Sequence, residues 1–228
     1  MNLETHYDQL YQLSLPKIAT GNVEVDDLLN SESDTRFGIT LLIRPPEWIK
    51  NNIQEFLSHL KTIEPDQYYY RNSDMHVTVL SIISCYAGFN LNQIKPAEYV
   101  AVIQKSLSAL PKFSIQFKGI TASSSSVLIQ GFLPDNTLNR LRDQLRINFK
   151  NSGLEQTIDK RYAIQTAHTT IARFRKNLAH TSEFIQVLNK YRQYEFGTFT
   201  VDAVELVFND WYQRTERVKQ LYTFPLTP

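Results

Sequence analysis

Cysteine and glycine are both scarce in this chain of 228 residues, and each shortage narrows what the protein can be. The single cysteine, Cys85, excludes an intrachain disulfide and a zinc site of clustered cysteines, and it suits a reducing compartment. With only seven glycines and nine prolines, and with 42% hydrophobic and 21% charged residues, the composition is that of a globular protein. It argues against a generally disordered chain. The length fits one large domain or two fused small lobes.

Strong charge and long apolar runs are missing as well. The net charge is +1 and the pI is near 7.8, so no strong field attracts nucleic acid or a membrane. No apolar run approaches the roughly 18 residues that span a bilayer, and the opening residues MNLETHYDQL lack the apolar centre of a signal peptide. We expect a cytoplasmic protein without membrane or duplex-DNA partners. The sequence does not fix the oligomeric state, and a monomer is the default expectation.

Two stretches of the chain repeat one order of predicted elements: a strand ended by proline, a helix, a loop, a His-x-Thr strand, a helix and a further strand. The distance from Pro46 to His76 is 30 residues, and from Pro134 to His168 it is 34. This correspondence indicates an internal duplication with approximate two-fold symmetry. The predicted elements are strand 37–44, a helix from 47, strand 75–83, helix 96–110 and a strand from 113, then strand 127–133, a helix after 134, strand 166–174, helix 181–191 and a strand over 199–203.

Further elements are predicted at the two ends of the chain. Residues 1–14 predict a short helix and residues 15–36 a polar connector. Strands at 204–209 and 219–224 predict a closing hairpin. The expected organisation is an N-terminal helix and connector over 1–36, followed by a two-lobed domain over 37–228. Its lobes would cover about 37–120 and 121–228, with the option that strands are exchanged between them.

The repeated motifs are His76-Val77-Thr78 and His168-Thr169-Thr170. Residues i and i+2 of a strand point to the same face, so each histidine projects together with its threonine. Two such strands related by a pseudo-two-fold axis place two imidazoles and two hydroxyls in one cleft. One histidine can act as general base and the other as general acid, while the hydroxyls of Thr78 and Thr170 can donate hydrogen bonds to phosphate oxygens. This chemistry needs no metal and no other cofactor.

The alternative is that both histidines are satisfied structural residues, because His-x-Thr is a short pattern. The segment His180-Thr181-Ser182 illustrates the risk, since it fits a looser pattern but lies at a predicted helix start, where a hydroxyl side chain is typical of a cap. His76 and His168 differ in context: both lie in predicted strands at matching places of the repeat. No His–carboxylate cluster has metal-ligand spacing, which disfavours a metal hydrolase.

Three further residues are candidates for contacts with substrate. Arg173 lies five residues after His168, on the opposite face of an ideal strand, so it either reaches a phosphate where the strand bends or is a surface or interlobe charge. Trp211 and Tyr212, at the tip of the predicted hairpin, either stack on a base or are packing groups.

These features resemble the two-histidine phosphoesterase superfamily, which includes bacterial RNA ligases acting on 2′,5′ bonds and cyclic phosphodiesterases. The segment from Ala167 to Arg173, AHTTIAR, is similar to the family pattern His-x-Thr-Leu-Ala-Arg, and the segment from Met75 to Val79, MHVTV, is similar to His-x-Thr followed by an apolar residue. The resemblance covers roughly residues 37–225. Two departures are Ala167, where many relatives have proline, and the 36 N-terminal residues, which are extra and could serve as a lid or an interface element.

The resemblance implies a bilobal α+β fold, with helices on the outer faces and a cleft between two antiparallel sheets. It implies His76 and His168 as acid and base, Thr78 and Thr170 as phosphate-binding residues, and substrates with 2′,3′-cyclic or other 2′-linked phosphates. We expect a metal-independent phosphodiesterase acting on a small nucleotide or an RNA terminus. The alternatives are a non-catalytic nucleotide- or RNA-binding protein that keeps the cleft, and 2′-5′ RNA ligase activity.

Overall fold

The computed structural model describes residues 2–29, 31–108, 110–160 and 163–227. Within them the chain forms five α-helices and nine β-strands. The helices are α1 (Leu3–Ala19), α2 (Glu47–Ile63), α3 (Pro96–Leu107), α4 (Thr137–Ser152) and α5 (Thr181–Lys190). The strands are β1 (Arg36–Ile43), β2 (Tyr68–Tyr69), β3 (Val77–Ala87), β4 (Phe113–Ala122), β5 (Ser126–Phe132), β6 (Thr169–Arg173), β7 (Glu195–Val201), β8 (Ala203–Asp210) and β9 (Lys219–Pro225).

The strands form two sheets. The first sheet has four strands in the order β3-β1-β8-β9, and the second sheet has five in the order β2-β6-β5-β4-β7. Every pairing between neighbouring strands is antiparallel. This confirms the predicted α+β fold with two antiparallel sheets, and the predicted closing hairpin is present as β8 and β9.

The two His-x-Thr strands occupy corresponding places in the two sheets. β3 pairs with β1, and β6 pairs with β5, so each motif strand lies beside the strand that opens its copy of the repeat. The next strand beyond β5 in the second sheet is β4, which follows the first motif in sequence, and the next strand beyond β1 in the first sheet is β8. The second sheet therefore combines strands from both copies of the predicted repeat.

Each His-x-Thr strand also carries a β-bulge three residues after its histidine. In β3, Val79 is skipped in the pairing with β1, although both of its neighbours are paired. In β6, Ile171 is skipped in the same way in the pairing with β5. Both side chains are fully buried. Because a bulge inserts one residue and shifts the alternation of faces, side chains beyond it change sides relative to an ideal strand.

Helix α1 is longer than the sequence predicts and ends at Ala19 instead of residue 14. The Asn2 side chain caps its start by accepting from the Thr5 N–H at 3.1 Å. Its buried residues include Tyr7, Tyr11 and Ile18, which continue one face past Pro16, and the helix packs on β4 and α5. Burial of that face outweighs the missing N–H of Pro16, so the connector begins only after Ala19.

The strands also differ from prediction in their lengths. β3 continues to Ala87 instead of residue 83, because its pairing with β1 runs to the start of that strand. Both motif histidines lie one residue before the strands that follow them, since β3 begins at Val77 and β6 at Thr169. Val77 and Thr169 are nevertheless fully buried, whereas the histidine and the threonine two residues after it are half-buried in each motif, as the alternation predicts.

Truncation of the bulge residue Ile171 should destabilise the protein far more than truncation of an exposed isoleucine. Ile171 is 0% exposed and Ile147 is 53% exposed, so Ile171→Ala and Ile147→Ala make the same chemical change in opposite environments. We expect a loss of about 2–5 kcal/mol for Ile171→Ala and within about 0.5 kcal/mol for Ile147→Ala. Urea denaturation measures both, and equal losses would contradict the buried bulge.

Candidate active site

One cavity lies between the facing surfaces of the two sheets. From the first sheet it is lined by His76, Thr78, Thr40 and Asn209, and from the second sheet by His168 and Thr170. Both imidazoles and both hydroxyls of the motifs therefore line the same space, as the repeat predicts. The remaining lining residues are Tyr70, Leu80, Ser81, Ser84, Cys85, Asp159, Ile164, Arg173, Trp211 and Gln213.

Arg173 lines this cavity because of the bulge at Ile171. In an ideal strand the fifth residue after His168 would point to the opposite face, but the extra residue reverses the alternation. Arg173 Nε donates a hydrogen bond to Tyr70 Oη at 3.0 Å, and Tyr70 is almost fully buried. A cation is therefore held in place in the cavity that the two histidines line, which is the position that a phosphate contact would require.

His76 is oriented by a main-chain carbonyl. Its Nδ1 lies 2.8 Å from the carbonyl oxygen of Asp74. A carbonyl only accepts, so Nδ1 carries the proton and Nε2 of the neutral ring has a free lone pair. The turn that presents this carbonyl is itself fixed, because the carboxylate of Asp74 accepts from the Thr215 N–H at 3.0 Å and from the Ser73 hydroxyl at 2.7 Å.

His168 has a different partner for its Nδ1, the hydroxyl of Thr166 at 2.6 Å. A hydroxyl can donate or accept, so this contact is compatible with either neutral tautomer and with the imidazolium. The backbone beside His168 is packed closely against β5, since a Cβ on Gly131 would lie 2.0 Å from the Ala167 carbonyl oxygen. Only glycine at position 131 permits this approach.

Burial lowers the pKa of both imidazoles. For His76 the pKa falls to about 3, mainly through burial and also through the positive charges of Arg44 and Arg173. The hydrogen bond to the Asp74 carbonyl raises this pKa and so offsets part of the fall. For His168 the pKa falls to about 4, again mainly through burial, with Arg142 and Arg173 adding to the effect. Both rings are therefore neutral at pH 7 in the absence of a bound anion, and an anion in the cavity would favour protonation of one of them.

Tyr212 does not line the cavity, which corrects the expectation that it contacts substrate. Its side chain is fully buried, and its hydroxyl accepts a hydrogen bond from Arg36 Nη2 at 2.9 Å. The guanidinium groups of Arg36, Arg173 and Arg214 lie 5.0–5.7 Å from the centre of its ring. With cations around it and no exposed surface, the ring has no face for a base. Its neighbour Trp211 lines the cavity instead.

The residues that sequence reasoning missed include Arg142 and Thr166, which contact the motifs, and Asn209 and Gln213, which line the cavity. Arg142 had a detectable signal, because it occupies the apolar stripe of α4 formed by Leu138, Leu141 and Leu145, where a charge is out of place. Asn209 and Gln213 had none, since polar residues beside a predicted turn are common. The other histidine candidate, His180, is exposed and lies 3.7 Å from Glu64, outside the cavity.

Neither a metal-binding cluster nor a membrane-spanning helix is found in the described part of the chain. Residues 2–29, 31–108, 110–160 and 163–227 contain no group of three or more His, Cys, Asp or Glu side chains arranged to hold a metal ion. None of the helices in that part of the chain combines the length and apolar character that a bilayer crossing requires.

Comparison with known proteins identifies relatives of the chain. A family model described as the 2′-5′ RNA ligase superfamily matches residues 47–210, which is most of the sequence. No curated protein matches it.

Solved structures share the fold at low sequence identity. Escherichia coli LigT, crystallised with 3′-AMP, is 16% identical, with a TM-score of 0.58 over 85% of this chain and 99% of LigT. A Thermus thermophilus protein is 14% identical, with a TM-score of 0.58 over 84% of this chain and 97% of its own. A conserved protein of unknown function from Agrobacterium tumefaciens is 15% identical, with a TM-score of 0.56 over 92% and 98%. At such identities the likeness establishes the fold alone.

The lowered pKa values of the two histidines predict a specific dependence of stability on pH. In the unfolded chain a histidine titrates near pH 6.5, whereas here the pKa values are about 3 and about 4. The unfolded state therefore binds more protons below pH 6.5, and this contribution lowers stability as the pH falls from about 6.5 towards 4. Above pH 6.5 the contribution is absent.

We expect the double variant His76→Asn/His168→Asn to lose less unfolding free energy than the wild type between pH 7 and pH 4.5. Urea denaturation at a series of pH values measures the difference. The matched control is His59→Asn/His180→Asn, which removes two histidines outside the cavity and should retain the wild-type slope. Identical slopes for all three proteins would show that the two cavity histidines titrate normally.

Proposed function

Because the chain belongs to the 2′-5′ RNA ligase superfamily, we propose that it is a metal-independent phosphodiesterase acting on 2′,3′-cyclic phosphates or other 2′-linked phosphoesters of nucleotides or RNA ends. The observation that carries this proposal is the shared cavity, in which two His-x-Thr motifs from opposite sheets face one space beside Arg173. Two titratable rings, two hydroxyls and one cation match the needs of phosphodiester hydrolysis.

In this proposal Thr78, Thr170 and Arg173 hold the phosphate. The hydroxyls donate hydrogen bonds to its non-bridging oxygens, and the guanidinium supplies a positive charge where negative charge develops. The cation is already oriented by Tyr70, so little reorganisation is required when the substrate binds. The phosphate charge in turn raises the pKa of a neighbouring imidazole, so that one ring is protonated in the complex although both are neutral without it.

The reaction then requires two proton transfers. One neutral imidazole takes a proton from water as the water oxygen attacks phosphorus. The protonated imidazole gives its proton to the ribose oxygen as the bond between that oxygen and phosphorus breaks. A cyclic phosphodiester and one water thus become a phosphomonoester with one free hydroxyl. The histidines exchange protonation states, and transfer through solvent restores them.

The different Nδ1 partners of the histidines favour His76 as the base and His168 as the acid. A carbonyl fixes the proton of His76 on Nδ1 and leaves the Nε2 lone pair available. The Thr166 hydroxyl can donate to His168 Nδ1, which places the proton of that ring on Nε2. The assignment would interchange for a substrate bound with its 2′ and 3′ oxygens exchanged.

A nucleotide ligand is supported by a solved structure of the same fold and by the net charge of the chain. Escherichia coli LigT has been crystallised with 3′-AMP, and a 3′-phosphomonoester is what cleavage of the 2′ bond of a 2′,3′-cyclic phosphate releases. The near-neutral net charge fits a small substrate held locally better than a long nucleic acid. These points support nucleotides or RNA ends as the substrate class.

The direct test is an assay of purified protein in EDTA with 2′,3′-cyclic nucleotides, RNA ending in a cyclic phosphate, and 2′,5′-linked oligonucleotides. We expect hydrolysis in EDTA, and a loss of about 100-fold or more in kcat/KM for His76→Ala and for His168→Ala, since acid–base groups contribute about 10²–10⁴-fold. The matched control is His180→Ala, which removes an exposed histidine and should leave the rate unchanged.

The outcomes separate this proposal from its rivals. Activity abolished by the chelator, or retained when both His76 and His168 are alanine, would overturn the mechanism. Ligand binding without turnover on every substrate would instead favour a non-catalytic nucleotide- or RNA-binding protein. Joining of RNA ends through a 2′,5′ bond, in excess of hydrolysis, would favour a ligase.

The pH profile gives a second prediction from the same mechanism. In the free protein both pKa values lie well below 6.5, so the fraction with one protonated imidazole falls as pH rises above about 4. We expect log kcat/KM to decrease with pH across the neutral range, whereas kcat stays level to a higher pH because bound phosphate raises the pKa of the acid. A kcat/KM profile centred above pH 7 would contradict the account.

A further inference from the structure

Two residues that line the cavity, Asn209 and Gln213, each have a buried side-chain amide oxygen without a hydrogen-bond partner among the described residues. Asn209 and Gln213 are 3% and 4% exposed, and both line the cavity. Among the residues that the structure describes, neither Asn209 Oδ1 nor Gln213 Oε1 has a hydrogen-bond partner. A buried acceptor without a donor is costly, so such a pair in a binding cavity indicates a ligand that supplies the donors.

The orientation of the Asn209 amide is fixed by its other end. Its Nδ2 donates a hydrogen bond to the Asp210 carbonyl at 2.8 Å and lies 3.6 Å from the sulfur of Cys85. Rotation of the amide by half a turn would place an oxygen against the carbonyl, which is unfavourable. The free group on Asn209 is therefore an acceptor.

The backbone of Gln213 is held in a conformation that residues other than glycine rarely adopt. Its φ is +60°, in the left-handed region, where a residue with a side chain is strained. The loop around it is tied down by Arg214, whose N–H and Nε donate to the carboxylate of Asp210 at 2.9 and 2.6 Å. Strain retained in a rigid loop beside a site is typical of a side chain presented for a function.

Trp211 lies between these two residues in sequence and lines the same cavity. The guanidinium of Arg36 lies 5.0 Å from the centre of its ring and is paired with Asp34 at 2.8 Å, which holds the indole in place. An indole beside two acceptors complements a planar heterocycle that carries N–H donors.

We propose that Asn209, Trp211 and Gln213 form a nucleobase subsite that selects bases with an exocyclic amino group. An amino group supplies two N–H donors and satisfies acceptors that a base without it would leave buried and unpaired. This inference rests on the proposed function for the position of the phosphate, and it adds which part of the substrate the other residues of the cavity recognise.

The first test compares two substrates on the wild-type protein, and variants of the protein follow. Adenosine 2′,3′-cyclic phosphate and purine riboside 2′,3′-cyclic phosphate differ in the amino group alone. We expect wild-type kcat/KM to be roughly tenfold or more higher for the adenosine compound, as for other sites that leave a buried acceptor unpaired. Equal values for the two substrates would overturn the subsite.

Two variants then identify the residues responsible. In Asn209→Leu and Gln213→Met the amide is lost with little change of size, and the preference for the amino group should shrink in each. The matched control is Gln104→Met, which removes an exposed amide on α3 outside the cavity and should keep the full preference. A preference that survives in the double variant Asn209→Leu/Gln213→Met would assign it to other residues.

A binding measurement separates failure of the subsite from failure of the proposed function. Calorimetry with 3′-AMP and purine riboside 3′-phosphate reports recognition of the amino group even when no substrate is turned over. Tighter binding of 3′-AMP without hydrolysis would support the subsite and overturn the phosphodiesterase. Hydrolysis with equal binding of the two ligands would do the reverse.

A second inference comes from a separate observation, the buried guanidinium of Arg142. Its side chain is 0% exposed. Nη2 donates to the carbonyl of Thr78 at 2.9 Å and to that of Thr166 at 2.8 Å, and Nε donates to the carbonyl of Val79 at 2.9 Å. A fourth bond runs from Nη1 to Asn139 Oδ1 at 3.1 Å. All four acceptors are uncharged.

These bonds join the two motifs through one side chain. Thr78 and Val79 belong to β3 in the first sheet, whereas Thr166 precedes β6 of the second sheet and contacts the ring of His168. We propose that Arg142 is a positioning residue that fixes the distance between His76 and His168. Its charge also helps to lower the pKa of His168, together with Arg173 and His6.

Charge and geometry are separated by two substitutions. Arg142→Lys keeps the charge but cannot reach all of these carbonyls, so kcat should fall about 10-fold or more while the pKa of His168, followed by NMR, stays low. Arg142→Met removes the charge as well, so the pKa of His168 should rise towards 6.5. The matched control is Arg140→Met, an exposed arginine on the same helix that should change neither quantity.

The outcomes decide the role even if one variant does not fold. An unfolded Arg142→Met protein leaves Arg142→Lys as the test, and wild-type kcat in folded Arg142→Lys would overturn the positioning role. A fall in kcat accompanied by an equal fall in the stability of every region, with full activity restored at lower temperature, would indicate a merely structural arginine.

Discussion

The hydrogen bonds of Arg142 are the interaction on which the rest of the site depends. His76 and His168 directly precede strands of different sheets and are separated by 91 intervening residues, yet they line one cavity. A guanidinium is suited to this task because its donors have a fixed planar geometry and it remains charged when buried. Since main-chain carbonyls are its partners, any movement of one motif strand relative to the other would leave a buried donor unpaired.

The two copies of the repeat agree in the order of elements and in the detail of the motif strands, but they differ in the side chains that line the cavity. Both motif strands have a bulge three residues after the histidine, and in both the fifth residue after the histidine lines the cavity. That residue is Ser81 in one copy and Arg173 in the other. The Nδ1 partners also differ, a carbonyl for His76 and a hydroxyl for His168. Two similar motif strands thus present different groups to the cavity.

The sequence was sufficient for the helices, for most strands and for the two motifs, because those features follow from local periodicity and from the matching spacing of the repeat. It was insufficient for Arg173, whose position depends on a bulge that only the pairing with β5 reveals. It did not decide between stacking and packing for Tyr212, because an aromatic residue next to a turn is as compatible with burial as with exposure. Asn209 and Gln213 acquire meaning only through burial and missing partners, which are properties of the tertiary structure.

In the proposed function, the cavity between the two sheets hydrolyses a phosphoester without a metal. The most direct measurement follows a nucleoside 2′,3′-cyclic phosphate by ³¹P NMR in ¹⁸O-labelled water with EDTA present. We expect conversion to a single phosphomonoester that carries one ¹⁸O atom on phosphorus. An unchanged cyclic phosphate in the presence of folded protein, or a product that forms only after a divalent metal is added, would contradict the proposed function.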